Sequence, residues 1–294
     1  NGPDTPDSIG VSACLLPTAC AVARRDARSV ERRMRWRPTA ARRLRKKEIG
    51  VGQRPGFCGN SGAKTVIDFE QVSFAYDNDI EAIHDVNVHI DKGDFVFLVG
   101  PTGEGKTTFL KLIYREIVPT SGRVIVAGTD VGRMPRRRVP HLRRRIGVVF
   151  QDFRLLGDKT IAENTLFALE AVGVPRRDMR RRTSEVLRQV GLGHRMGAFP
   201  SELSAGEQQR ACIARAIANY PSILLADEPT GNLDPDTSLE IVMLLRDIHI
   251  RGTTVVMATH DRQVVDTLNK RVICLHRGRV VRDVAQGLYY AAYD

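Results

Sequence analysis

The chain has no uninterrupted apolar run near the roughly 18 residues needed to cross a bilayer as a helix, so it carries no membrane span of that kind. Paired cysteines are also missing. Cys14, Cys20, Cys58, Cys212 and Cys274 form no CxxC pair and no His-containing zinc spacing, and their number is odd. That usage excludes a zinc-finger type of site, gives no support to a disulfide framework and suits a reducing compartment. Cys212 and Cys274 fall in expected core elements, where a thiol acts as a small apolar side chain. No internal repeat appears. What is present is ordinary for a globular protein: 42 % apolar and 27 % charged residues, which excludes a wholly disordered or collagen-like chain.

The net charge of +11 suggests a nucleic-acid protein until it is divided. Residues 1–64 hold 14 basic and 5 acidic side chains, whereas the other 230 residues hold 31 and 29. The basicity belongs to the N-terminal segment, where twelve basic residues lie between Arg24 and Lys47 and the one Trp is Trp36. Val11–Ala23 resembles a signal-peptide core, but Asp4 and Asp7 precede it where positive charge belongs, which argues against secretion. Three expectations stand for residues 1–64: a disordered basic arm for anionic lipid or nucleic acid, a regulatory tail, or an artefact of expression or of the gene start. The artefact is favoured, because regular text starts near Thr65.

From Val66 onward strands alternate with helices. Val66–Val72, Phe95–Val99, Val124–Ala127, Ile146–Phe150, Ile223–Ala226, Thr254–Ala258 and Arg271–Leu275 read as strands. Helices are expected over Lys106–Ile117, in two pieces across 160–195 split at Gly173–Pro175, and near 207–219 and 236–250. The alternation predicts an α/β fold with a mostly parallel sheet.

The strongest local signal is Gly100-Pro101-Thr102-Gly103-Glu104-Gly105-Lys106-Thr107, a GxxxxGK[ST] loop placed directly after an expected strand and opening an expected helix. Its glycines let backbone N–H groups wrap a polyphosphate, and the helix start adds positive potential. Lys106 reaches for the β- and γ-phosphates and Thr107 for Mg²⁺. Four specified positions match by chance in about one chain of this length in a hundred, before the strand and helix context is counted. A second signal is Ile223-Leu-Leu-Ala-Asp227-Glu228, an apolar strand ending in two carboxylates. In P-loop enzymes such an acid holds Mg²⁺, here Asp227, and a neighbour, here Glu228, can activate the attacking water.

Between them lies Leu203-Ser204-Ala205-Gly206-Glu207-Gln208-Gln209-Arg210. With these motifs in this order, residues from about Val66 to near Arg282 resemble the nucleotide-binding domain of ABC ATPases. The resemblance implies a RecA-like P-loop core with an antiparallel β subdomain and a helical subdomain at about 152–205, within a domain of 65–294. It implies that ATP and Mg²⁺ are bound by Gly100 through Thr108, with Tyr76 on the adenine and Gln151 beside the metal and the water. It further implies that His260 contacts the γ-phosphate, and that Ser204, Gly206, Gln208 and the Asn232-Leu233-Asp234 segment act across a homodimer interface. Two departures stand out: Ala205 replaces the usual glycine, and Glu104 places an acid in the phosphate loop, where it must point away from phosphate.

Lys106 and Ser204 lie 98 positions apart, too close for the long coiled coil of chromosome-maintenance ATPases. The single phosphate loop and the lack of zinc cysteines set aside other nucleic-acid branches, so nucleic acid is not expected as a partner of the body. Val139-Pro-His-Leu-Arg-Arg-Arg-Ile-Gly-Val-Val-Phe-Gln151-Asp152 most resembles the FtsE group of cell-division ATPases. That group implies an FtsX-like integral membrane partner docked near Gln151 and residues 152–200, with other division proteins as further possible partners, at the cytoplasmic face of the cell membrane. Two alternatives remain: an ATPase of a lipoprotein-release or export-type transporter, and a nucleic-acid-associated protein using the basic arm. Arg136–Arg138, Arg143–Arg145 and Arg180–Arg182 either face anionic headgroups or form a solvated basic face.

Overall fold

Every side chain of Phe95–Val99 is buried, as a continuous apolar run predicts for a strand covered on both faces. In the computed structural model, which describes residues 65–76 and 81–289, this strand, β3, sits inside a six-stranded sheet. The expectations placed on residues 1–64 lie outside the described residues. The sheet runs β10(Arg279–Val284), β9(Arg271–His276), β3, β8(Thr254–Thr259), β7(Ile223–Asp227), β6(Ile146–Val149). All its pairs are parallel except β10 on β9. A second, antiparallel sheet has the order β2(Glu81–Asp91), β1(Thr65–Ala75), β4(Ser121–Val126), β5(Thr129–Asp130).

The alternation along β3 sends Val96 and Leu98 to one face and Phe95, Phe97 and Val99 to the other. The first face packs with the antiparallel sheet and with α1(Lys106–Ile113), where Phe69 and Phe109 stack at 4.1 Å between ring centroids. The second face packs on α5(Ala205–Ile217), α6(Pro235–Ile250) and α7(Arg262–Leu268). Phe97 has no exposed surface, so Phe97→Ala would cost about 3–5 kcal/mol.

The remaining helices are a short α2(Val139–Arg143), then α3(Ile161–Ala171) and α4(Arg176–Gln189). Thr160 caps α3 through a reciprocal pairing with Glu163, and Ser204 caps α5 in the same way with Glu207. Asp234 and Asp261 cap α6 and α7. Against expectation, α1 stops at Ile113 and not at Ile117. Arg115 takes a left-handed backbone with φ 54, and its guanidinium bonds the carbonyls of Val131 and Met134 at 2.5 and 2.8 Å. Tertiary hydrogen bonds thus outweigh the apolar pattern that would have extended the helix.

Candidate active site

The phosphate-loop sequence occupies the turn between β3 and α1. A Cβ on Gly100 would run into the Leu275 carbonyl oxygen, and one on Gly105 into that of Ala82; both residues also hold positive φ. The loop can therefore lie this close to β9 and β2 only with glycine at those two places. Lys106 is buried at 6 % exposure, with Nζ 2.7 Å from the Gly100 carbonyl, 3.0 Å from that of Pro101 and 3.4 Å from Glu228 Oε1. Unlike α3, α5, α6 and α7, α1 has no side-chain cap, and its first turn contains no acid. Its leading N–H groups are left for an anion. Pro101, Thr102 and Gly103 are exposed along the loop. Thr108 is buried and shares a 3.0 Å hydrogen bond with the Tyr76 hydroxyl, while the Tyr76 ring packs edge-on against Phe74 at 4.9 Å.

The ends of β6, β7 and β8 bring the remaining chemistry to this loop. Thr107 Oγ1 donates to Asp227 Oδ1 at 3.1 Å. Burial raises the pKa of the Asp227 carboxyl, the Thr107 bond opposes that shift, and the neighbouring Glu228 charge adds to it. Glu228 has φ 47, an uncommon backbone for a non-glycine residue and a form of strain that gathers at functional sites. Its N–H bonds the Ala258 carbonyl at 3.0 Å, and its Oε2 lies 2.7 Å from His260 Nδ1. One carboxylate thus stands between a buried ammonium and an imidazole. A Cβ on Gly231 would sit 3.6 Å from Gln151 Nε2 and 3.6 Å from the Glu228 carbonyl oxygen, which puts the Gln151 amide against the Glu228–Gly231 turn.

Hard oxygen donors at Thr107 and Asp227 fit Mg²⁺. Among the described residues no group of three or more His, Cys, Asp or Glu forms a metal cage.

Ser204, Gly206, Gln208 and Asp234 form a separate cluster. Ser204 Oγ accepts from Glu207 N–H at 3.3 Å, Gln208 Nε2 donates to the Leu203 carbonyl at 3.1 Å, and Asp234 accepts from Thr237 N–H at 3.0 Å. A hollow of 270 Å³ between Ser204–Glu207 and Asn232–Asp234 opens here. Among the described residues, no hydrogen bond or ion pair joins these four side chains to Lys106, Thr107, Asp227, Glu228 or His260.

Residues 83–231 match the family model described as ABC transporter. The cell division ATP-binding protein FtsE of Streptococcus pneumoniae is 50 % identical over 230 residues, covering 78 % of this chain and 99 % of that protein. FtsE of Mycobacterium tuberculosis is 53 % identical over 208 residues, covering 71 % and 90 %. The chain belongs to the FtsE family of ABC ATPases. A dimeric post-hydrolysis structure of the ATP-binding cassette MJ0796 bound to ADP and Pi is 35 % identical with a TM-score of 0.69, over 76 % of this chain and all of that one. The fold is accordingly that of an ABC cassette, an α/β P-loop NTPase, and its activity is ATP hydrolysis.

In this FtsE-family cassette the departures noted in the sequence find local explanations. Ala205 is the first residue of α5 and is not among the residues with positive φ, so its methyl group meets no backbone penalty. The Glu104 carboxylate accepts from the Arg277 N–H and lies 3.7 Å from His276 Nδ1, which ties it to the β9–β10 turn. Two residues of α5 have a role that the sequence alone does not give, although Cys212 is buried in the core as expected. Cys212 Sγ and Arg215 Nη2 both donate to the Phe153 carbonyl, at 2.9 and 2.8 Å, and Arg215 Nη1 donates to that of Arg154. Phe153 and Arg154 have φ 57 and 51, so two left-handed residues just after Gln151 are fastened to the helix that Ser204 caps. Burial pushes the Cys212 thiol up to about 12, keeping it a neutral donor. Only the helical register of Cys212 and Arg215 hinted at this in sequence.

Proposed function

We propose that residues 65–294 form a nucleotide-binding domain, with a helical part at about 152–205, in which two copies of the chain clamp two ATP molecules. Gly100 through Thr108 and the start of α1 hold the phosphates, with Lys106 at the β- and γ-phosphates and Tyr76 beside the adenine. Thr107, Asp227 and Gln151 hold Mg²⁺, which when bound neutralises phosphate charge. Glu228 accepts the proton of the attacking water, and His260 orients Glu228 and touches the γ-phosphate. The partner copy supplies Ser204, Gly206 and Gln208 as the missing anion-binding wall, with Asp234 at the interface. In-line attack then needs little covalent chemistry from the protein beyond positioning and a base. Loss of the shared γ-phosphate loosens the pair.

The observation that carries this reading is the strained Glu228, held between Lys106 and His260. The separation of the Ser204 cluster from the phosphate loop supports completion by a second copy. The FtsE relatives support a role in cell division. An FtsX-like membrane protein is the proposed partner, and the cytoplasmic face of the membrane the proposed location. The proposed docking groove near Gln151 is a 390 Å³ hollow lined by Phe150, Arg154, Leu156 and the 57 % exposed Phe167.

The test is Glu228→Gln. It should leave ATP binding intact and lower turnover by about 10²–10⁴-fold. Affinity capture of this variant from native membranes in ATP should retain one integral membrane protein of the FtsX type. Unchanged turnover refutes the base, and capture of a lipoprotein-release or export permease refutes the division partner.

A further inference from the structure

Beside the short helix α2 lies a hollow of 610 Å³ that the ATPase chemistry does not use. Arg137, Arg138, His141 and Arg145 surround it, and Val126, Met134 and Leu142 form its apolar floor, with no Asp or Glu in the lining. Several arginines elsewhere among the described residues are already engaged. Arg115, Arg143, Arg210, Arg215 and Arg271 each donate to a carbonyl or a carboxylate. Among the described residues, the side chains of Arg136, Arg137, Arg138, Arg144 and Arg145 have no ion pair or hydrogen bond.

The backbone that carries them is held in place. Arg136–Arg138 form a 3₁₀ turn after Pro135, and Pro140 stands in the first turn of α2. Two prolines fix φ on either side of the turn, so like charges are kept together with little chain entropy left to lose on binding. Like charges gathered without compensation disfavour the unliganded state, and an anion relieves that.

We propose that this hollow binds the phosphate-bearing headgroup of an anionic membrane phospholipid. Guanidinium forks match phosphate oxygens, and the apolar floor accepts the glycerol and upper acyl carbons that a free phosphate lacks. A discrete hollow with an apolar floor fits one headgroup better than a nucleic-acid backbone, which needs a groove that tracks many phosphates. The site also adjoins the proposed partner groove, because Arg143 and Arg144 line that groove while Arg145 lines this hollow. The proposal rests on the membrane partnership put forward above and adds a direct lipid contact made by the ATPase itself.

The test is flotation of the full chain with phosphatidylcholine vesicles, with and without phosphatidylglycerol. Three proteins are compared: the wild type, Arg137→Gln/Arg138→Gln, and the control Arg176→Gln/Arg180→Gln, which removes equal charge from exposed positions on α4. The residues 1–64 are common to all three, so only differences between them count. The hollow variant should lose about thirtyfold in affinity for phosphatidylglycerol vesicles, with the control much less affected. Its ATPase rate and its melting temperature should match wild type; where melting drops, the single Arg138→Gln replaces it, with about a fivefold loss. Equal losses in the two double variants, or no loss, overturn the proposal. So does competition by inorganic phosphate or by a short DNA duplex that is as effective as phosphatidylglycerol at matched phosphate concentration. Failure to capture a membrane partner with Glu228→Gln, with vesicle binding intact, would sink the partnership and leave this site standing.

Discussion

Arg215→Ala tests whether α5 holds the loop that follows Gln151. The guanidinium makes two charge-assisted bonds, to the carbonyls of Phe153 and Arg154, each worth about 1.5–3 kcal/mol. Burial works against that charge and lowers the Arg215 pKa, so the net loss is set at the lower end, about 2–4 kcal/mol. The Phe153 carbonyl would keep only the Cys212 thiol, and two left-handed residues would lose the contacts that hold them. For a domain of this size that loss lowers Tm by about 5–15 °C. Release of the loop also shifts Gln151, so kcat should fall more than the affinity for ATP. Arg215→Lys restores one bond and should recover about half of the melting loss. Thermal melts and steady-state kinetics of the three proteins are the assay. A loss under about 0.5 kcal/mol, or unchanged kcat in the alanine variant, would refute the argument.

Asp227→Asn should abolish most turnover, by about a hundredfold or more, without lowering Tm. Because burial raises the folded-state pKa, the ionised carboxylate costs stability above that pKa, and the cost disappears as pH falls through it. Asparagine keeps an oxygen for Thr107 and lacks the charge, so a lower Tm at pH 8 would contradict the reasoning. Glu104→Ala should change ATP affinity by less than tenfold, about 1.4 kcal/mol, because its carboxylate is already engaged at Arg277. A larger gain in affinity, measured by calorimetry, would mean that the acid does repel phosphate.

Much of this site was legible because its parts are local. The apolar run of β7 ends at Asp227 and Glu228, and the glycine loop follows β3 directly, so strand ends and chemistry coincide in the text. Strand β2 escapes a period-two pattern, because its buried residues break the two-residue period between Ile83 and Val86, where Asp85 takes φ 42. The short helices α2 and α7 and the edge strand β10 are also not evident in the sequence, and β10 buries no side chain completely, so it carries no apolar signature. The left-handed backbone of Glu228 and the fastening of Phe153 and Arg154 depend on residues far apart in sequence. Periodicity and motif spacing contain neither.

In the proposed mechanism two copies of the chain complete each other's ATP sites. Light scattering on purified Glu228→Gln, with and without saturating ATP and magnesium, tests it most directly. A mass near 32.7 kDa is expected without nucleotide and about twice that with it, with the doubling lost when Ser204→Arg is added. A single-copy mass under saturating ATP, with nucleotide shown to be bound, would contradict it.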